Sequence, residues 1–321
     1  MKVRRIDRVD LKETALEIFR EAVRAADPYH GVRKFVRREG RDVVIDGLRY
    51  SGDEFENIIV IGGGKASARM GQAIEDTLGD LVTGGWINTK YEHAVPLKRI
   101  TVHECGHPVP DARGIEGTKK IIGLLESADA HTLVICLLSG GGSALMPAPA
   151  DGVTLAEKQE VTRLLLSAGS SIEEINAVRK HLSSLKGGGM ARIAAPARLH
   201  VLILSDVIGD RLDTIASGPA VADGFTYADC LEICGRYGIL DRLPPAARSR
   251  LESGAAGIAP ETAKPDAPYL AASRNTLIGN NRMSVEAARD TAEGMGYRTL
   301  VLSTVIEGEA REIGTFYGSV A

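Results

Sequence analysis

The 321-residue chain lacks any apolar run near the ~20 residues of a membrane-spanning helix. Its longest such runs, at 133–138 and 199–205, have the length of buried strands. The N-terminus has no apolar signal-peptide core, so a cytoplasmic protein is expected. An excess of one charge is missing too. With 39 Lys and Arg against 42 Asp and Glu, the net charge is −3. That gives no electrostatic footing for nucleic acid or a membrane surface. Lys2, Arg4, Arg5 and Arg8 alternate with Asp7 and Asp10, which reads as a solvated lead-in. Aromatics are scarce, at 4%, and cysteines number four: Cys105, Cys136, Cys230 and Cys234. Their spacing makes neither a disulfide framework nor a zinc site. Buried free thiols in a reducing compartment are the expectation. No internal repeat or low-complexity tract is present.

What remains is the composition of a soluble α/β protein: 44% hydrophobic, 25% charged, and long enough for more than one domain. Helical spacing of apolar residues predicts a helix over 11–26, with Asp10 and Glu13 as a capping box and Asp27-Pro28 as its stop. A hairpin is expected around 43–45 and 48–50. Strands over 57–61, 84–88, 99–103, 132–138 and 199–205 alternate with helices over 65–78, 112–127, 154–168 and 171–185. Ser171 and Glu174 form a second capping box, and a helix near 226–236 follows. Near-continuous apolar strands alternating with helices imply a doubly wound, mostly parallel sheet. Residues 241–268 hold five prolines and read as a linker or excursion. Strands at 269–272 and 298–303 with helices at 281–295 and 308–320 then read as the start of a second, smaller unit.

Chemistry concentrates after two strands. Ile61 leads into Gly62-Gly63-Gly64-Lys65, where a strand ends in glycines and a lysine opens a helix. Backbone N–H groups and an ammonium pointed at one spot suit an anion. The spacing is not that of a P-loop. The next strand ends near Asn88 rather than on an acid for a ribose, which also weakens a dinucleotide fingerprint. A tight structural turn with a surface lysine is the alternative. Ser139-Gly140-Gly141-Gly142-Ser143 repeats the device, with Ser143 as a hydroxyl donor to phosphate; no Gly-x-Ser-x-Gly elbow marks a serine nucleophile. Asp206 and Asp210, just past a strand, can share Mg²⁺ or merely shape a turn. Asn176, Arg179 and Lys180 share one helical sector, as ligand contacts or a solvated basic face, with Lys186 further on. His107 in His107-Pro108-Val109-Pro110-Asp111 touches substrate or is structural.

Taken together and in order, these segments resemble the class II glycerate kinases, the glycerate 2-kinase family, some members of which are named hydroxypyruvate reductases. The matching pieces are the Ile61–Ala66 turn, Gly106 to Asp111, Leu138 to Leu145, Asn176 to Ser183, Lys186 to Gly189, Ser205 to Asp210 and Ala216 to Pro219. The resemblance implies a Rossmann-like N-terminal domain over 1–240, a linker over 241–268, and over 269–321 only the opening of a smaller C-terminal α/β domain. It implies transfer of the ATP γ-phosphoryl group to the 2-hydroxyl of D-glycerate, with ATP and Mg²⁺ as cofactors. Lys65 and Asp206 become the catalytic pair. Gly62, Gly63, Gly64, Ser139, Gly140, Gly141, Gly142 and Ser143 hold phosphates, Arg179, Lys180 and His107 hold substrate, and Asp206 with Asp210 holds the metal. Partners reduce to the small molecule, with self-association left open. An NAD(P)H-dependent hydroxypyruvate reductase and an inactive ligand-binding fragment are the rival expectations.

Overall fold

A computed structural model describes residues 8–320 of the chain. Helix α1 (Arg8–Ala25) already includes Arg8, so it begins ahead of the expected start at 11 and Asp10 lies inside it. Lys2, Arg4, Arg5 and Asp7 fall outside the described residues. Asp27-Pro28 is a start as well as a stop. The Asp27 carboxylate accepts from the Tyr29 and His30 N–H groups and opens α2 (Pro28–Phe35), a helix the sequence reading did not anticipate. The expected hairpin is there, with one more strand: β1 (Val36–Glu39), β2 (Asp42–Ile45) and β3 (Leu48–Tyr50) form an antiparallel sheet.

The main sheet is built from β4 (Asn57–Gly63), β5 (Gly84–Lys90), β6 (Ile100–Cys105), β7 (Thr132–Leu138), β8 (Arg198–Leu204) and β9 (Ser273–Gly279). All its pairings are parallel, in the order β6-β5-β4-β7-β8-β9. Counting only these strands, the order is 3-2-1-4-5-6, that of the doubly wound Rossmann folds. The reason is visible in β7, whose every residue is buried. Leu133, Ile135 and Leu137 enter one core, with Ile74 and Leu78 of α3 (Ser67–Leu78). Val134, Cys136 and Leu138 enter the other, with Ile121 and Leu125 of α4 (Ala112–Glu126). A strand covered on both faces has no polar positions to alternate.

Between β7 and β8 the chain makes α5 (Gly142–Leu145), α6 (Leu155–Ser167), α7 (Ile172–His181) and α8 (Gly189–Ala194). The Ser171–Glu174 capping box forms as expected. The helix it opens ends at His181, and Ser183 bridges to Pro149 instead of continuing it. Helices α6 and α7 pack with α9 (Tyr227–Arg236) and α10 (Pro245–Ala255) around a third core of Val161, Leu165, Val178, Cys234 and Leu251. The segment 241–268, expected as a linker or excursion, contains helix α10, with Pro245 at its first turn, where a missing N–H costs nothing.

The C-terminal expectations shift. Residues 268–272 are a 3₁₀ turn, not a strand, and the strand is β9 at 273–279. It is the sixth strand of the main sheet, so the sheet continues across the expected boundary at 268/269. Helix α11 (Asn281–Gly294) forms as expected and lies against α1, and α12 (Ala310–Val320) follows. Residues 298–303 are not a strand: no neighbouring edge pairs with them, and Leu300 and Leu302 stay exposed. All four cysteines are buried and free.

Candidate active site at the sheet switch point

Strand order reverses between β4 and β7, and crossovers leave that point in opposite directions. A crevice results at their carboxyl ends, where open α/β sheets bind ligands. Both glycine turns lie there. In the first, a Cβ on Gly63 would meet Met146 Cγ at 2.4 Å, and one on Gly64 would meet Ser139 Oγ at 2.1 Å. Its N–H groups are already engaged. Gly64 donates to Asn88 O (3.2 Å), Lys65 to Gly140 O (2.9 Å), Ser67 to Gly64 O (3.2 Å) and Ala66 to Ser139 Oγ (3.0 Å). Gly62 and Gly63 belong to β4, paired on both sides, and Gly64 to Ser67 have their donors engaged, so this turn is a closed one. The three glycines let the two turns lock together, where the sequence suggests an open anion loop.

The second turn is the open one. Ser139 spends its hydroxyl on the first turn, but the N–H groups of Gly140, Gly141 and Ser143 make no hydrogen bond among the described residues. Gly141 takes φ +87°, a left-handed backbone that side chains disfavour, and the His107 ring packs against it, within 2.6 Å of where a Cβ would stand. Gly140 lies between the two residues expected to act. Its added Cβ would stand 2.2 Å from Asp206 Oδ2 and 3.1 Å from Lys65 Cε. Lys65 Nζ and Asp206 Oδ2 face each other at 3.9 Å, with side chains 43% and 60% exposed. The pair is close enough to feel each other and open enough to meet a ligand. Burial first, then the charges of Lys65 and Lys90, hold the His107 pKa below its ordinary value, so the ring beside them is neutral at pH 7.

Asp210 is turned otherwise. Its Oδ2 accepts from Asn280 Nδ2 at 2.6 Å, at the cap of α11. Among the described residues no three His, Cys, Asp or Glu side chains gather into a metal cage. Asp206 alone fits Mg²⁺ only in the manner of a site completed by phosphate oxygens and water.

Ser143 is the hub of a second group. Its Oγ accepts from Arg179 Nη2 (2.7 Å) and Lys186 Nζ (3.0 Å) and lies 3.0 Å from Ser217 Oγ. Ser217 gets there by an uncommon backbone: Ala216, Ser217 and Gly218 all have positive φ, at 49°, 62° and 61°. Two non-glycine residues in that region are a local strain of the kind concentrated at functional sites. Lys180, expected beside Arg179 at the substrate, points elsewhere. It is 2% exposed, and its Nζ donates to Asp223 Oδ1 at 3.1 Å. The helical-sector argument misses this because adjacent residues on a helix point about 100° apart. Lys158 was missed altogether. Its signal was a lysine in the apolar stripe of α6, three and seven residues before buried Val161 and Leu165.

A doubly wound parallel sheet whose switch point carries an open glycine turn, an ammonium and a carboxylate defines an α/β protein with a candidate anion site in that crevice. Residues 14–252 match a family described as a domain of unknown function (DUF4147). A Pyrococcus horikoshii protein named glycerate 2-kinase is 40% identical over 315 residues, covering 97% of this chain and 69% of that one. An Agrobacterium vitis protein named putative hydroxypyruvate reductase is 42% identical over 263 residues, covering 82% of this chain and 66% of its own length. A crystal structure of a Pyrococcus horikoshii protein superposes with a TM-score of 0.87 at 40% identity, over 97% of this chain and 69% of that one. The chain belongs to this family, the DUF4147 proteins that include the glycerate 2-kinases.

Proposed function

We propose that the chain phosphorylates D-glycerate at its 2-hydroxyl, with ATP as donor and Mg²⁺ as the bound metal, giving 2-phosphoglycerate. The observation that carries this reading is the Lys65–Asp206 pair held across Gly140 beside three unbonded backbone donors. Phosphoryl transfer demands positioning and charge neutralisation more than covalent help. The N–H groups of Gly140, Gly141 and Ser143 hold phosphate oxygens. Lys65 neutralises charge on the moving group. Asp206 takes the proton of the attacking hydroxyl as its oxygen bonds to the γ-phosphorus and the bridging bond to ADP breaks. Mg²⁺, held by Asp206 and phosphate oxygens, would supply further charge neutralisation. Neutral His107 donates or accepts at the substrate without adding repulsion.

The reductase name borne by one relative suits a nicotinamide dinucleotide, and two observations weigh against that here. The first glycine turn has no free donor for a pyrophosphate. Asn88, at the end of β5, is buried and donates to Leu145 O at 2.8 Å rather than meeting a ribose. The four buried thiols suit a reducing cytoplasm, and no described helix is long and apolar enough to cross a membrane. The test is an assay with ATP, Mg²⁺ and D-glycerate that resolves 2- from 3-phosphoglycerate, run beside NADH oxidation with hydroxypyruvate. Formation of 2-phosphoglycerate without NADH oxidation is the expected result. NADH oxidation alone overturns the reading.

A further inference from the structure

Beyond Ser143 lies a cleft of about 630 Å³ whose charge the phosphoryl-transfer geometry does not use. Four cations line it, Lys158, Arg163, Arg179 and Lys186, and of these Arg163 is paired with Glu160, which leaves three. Lys158 and Lys186 are 7% and 4% exposed. Each has only neutral acceptors. Lys186 Nζ donates to Ser143 O (2.9 Å) and Oγ (3.0 Å), and Lys158 Nζ to Leu182 O (3.0 Å). Arg179 donates to Ser143 Oγ (2.7 Å) and Asn176 Oδ1 (3.4 Å). Glu160, the carboxylate lining the cleft, is held by Arg163 at 2.7 Å. Among the described residues no carboxylate comes within 4.0 Å of the three cations.

Buried cations without a counter-charge are costly, and folds normally pair them. This fold pairs Lys180 with Asp223. The cluster's own chemistry reports the missing partner. Burial, with Lys158 and Arg179 next to it, presses the Lys186 ammonium well below its ordinary pKa, and burial with Arg179 does the same to Lys158. The walls are completed by Pro108, Pro147 and Leu155, which offer no competing charge.

We infer that this cleft is an oxyanion subsite in which Lys186 and Arg179, backed by Lys158, bind the carboxylate of the hydroxy-acid acceptor. The assignment rests on the kinase reading for the identity of the acid, not for the existence of the site. Ser143 ties the two halves together. Its N–H faces the open glycine turn, and its hydroxyl receives the two cations, so a carboxylate bound here is anchored to the loop that holds Lys65 and Asp206 in register. The same chemistry would take inorganic phosphate, and the two sources are separable.

The experiment is thermal unfolding and calorimetry of the full 321-residue chain with D-glycerate, glycerol, L-lactate and inorganic phosphate as probes, together with KM for D-glycerate. Both hydroxy acids are expected to raise the melting temperature saturably, and glycerol is not. Lys186→Met is expected to weaken acid binding about 10- to 100-fold, the scale of one charge-assisted contact. Lys158→Met, tested independently in case the first variant folds poorly, is expected to act in the same direction. A wild-type protein that ignores the acids, or variants that bind them within two-fold of wild type, would overturn the subsite. Phosphate binding more tightly than D-glycerate in competition would overturn the carboxylate assignment. Acid binding through Lys186 with no phosphoryl transfer keeps the subsite and removes the kinase reading. Turnover with an unchanged KM in Lys186→Met does the reverse.

Discussion

Two sides of α7 carry cations, Lys180 buried and Arg179 half-buried, and they are treated in opposite ways. Lys180 is matched by Asp223, with Asp213 at 3.9 Å, and its neighbour His181 meets Glu261 at 2.9 Å. Arg179, one residue away, and Lys186 beyond the helix face hydroxyls and carbonyls only. A charge neutralised inside the protein holds elements together: the first network ties α7 to the segment after the Ser217 turn and to the chain near Glu261. A charge left without a partner is an invitation to a ligand. The sequence writes Arg179 and Lys180 side by side, and only their partners tell the two roles apart.

The contrast can be broken from either side. Lys65, unlike either group, faces an exposed carboxylate, Asp206, at 3.9 Å. It is the proposed phosphate contact, so Lys65→Ala is expected to cut kcat/KM for D-glycerate by about 10⁴-fold, roughly 5 kcal/mol of transition-state stabilisation. Its melting temperature should hold, since the side chain is half exposed. Steady-state kinetics beside a melting curve decides this, and near-normal turnover removes Lys65 from the site. Lys180→Met attacks the neutralised side. It leaves Asp223, whose Oδ2 already lacks a hydrogen bond, as a buried uncompensated carboxylate. The expected loss is about 3–4 kcal/mol in urea unfolding, with kcat per folded molecule little changed. A stable, kinetically dead variant would instead move Lys180 to the ligand side.

A third buried group sharpens the comparison at the far end of the sheet. The Tyr50 hydroxyl donates to His200 Nδ1 (2.7 Å), and His200 Nε2 donates to Thr276 Oγ1 (2.9 Å). Thr276 in turn donates to Asp46 at 3.3 Å. This chain of donors works with a neutral ring, and burial holds the His200 pKa down at about 4, from 6.5. The unfolded state then binds more protons between those values. Stability from this group is full above pH 6.5 and is lost as pH falls toward 4, by up to about 3 kcal/mol. His200→Gln should flatten that part of the pH–stability curve; an equal acid loss in the variant would assign it elsewhere. The smallest effect is expected from Gly140→Ala, whose methyl pushes the exposed Asp206 carboxylate away from Lys65. About a 10-fold fall in kcat/KM with unchanged stability is expected, and unchanged kinetics would show that Asp206 need not sit there.

Most of the main sheet was legible because its signals are local. An apolar run such as 132–138 is a strand wherever it lies, and Ser171 with Glu174 makes its own cap. The failures were at the edges. Asp27-Pro28 reads as a terminator until one sees that the same pair starts the next helix. Pro244-Pro245 reads as a linker although proline tolerates a first helical turn. Residues 298–303 have strand composition but no edge to pair with. At the switch point, Lys65, Asp206, Ser143, Arg179 and His107 had been singled out from glycine turns and spacing, and their roles there are proposals. The opposed fates of the two glycine turns were not, because both look equally open until Gly140 O and the Ser139 hydroxyl occupy the donors of the first.

The sequence by itself determined the alternating strands and helices, the two glycine turns at strand ends and the lysine that follows the first. Hydrophobic period and glycine's backbone freedom act within a few residues, so they can be read in line. The tertiary structure alone decided which turn stays open and which buried cations are neutralised. The partner of Lys180 is 43 residues away, and the Ser143 that gathers Arg179 and Lys186 is 36 and 43 residues from them. Charge compensation is a property of what the fold brings within about 4 Å, and no local pattern records it.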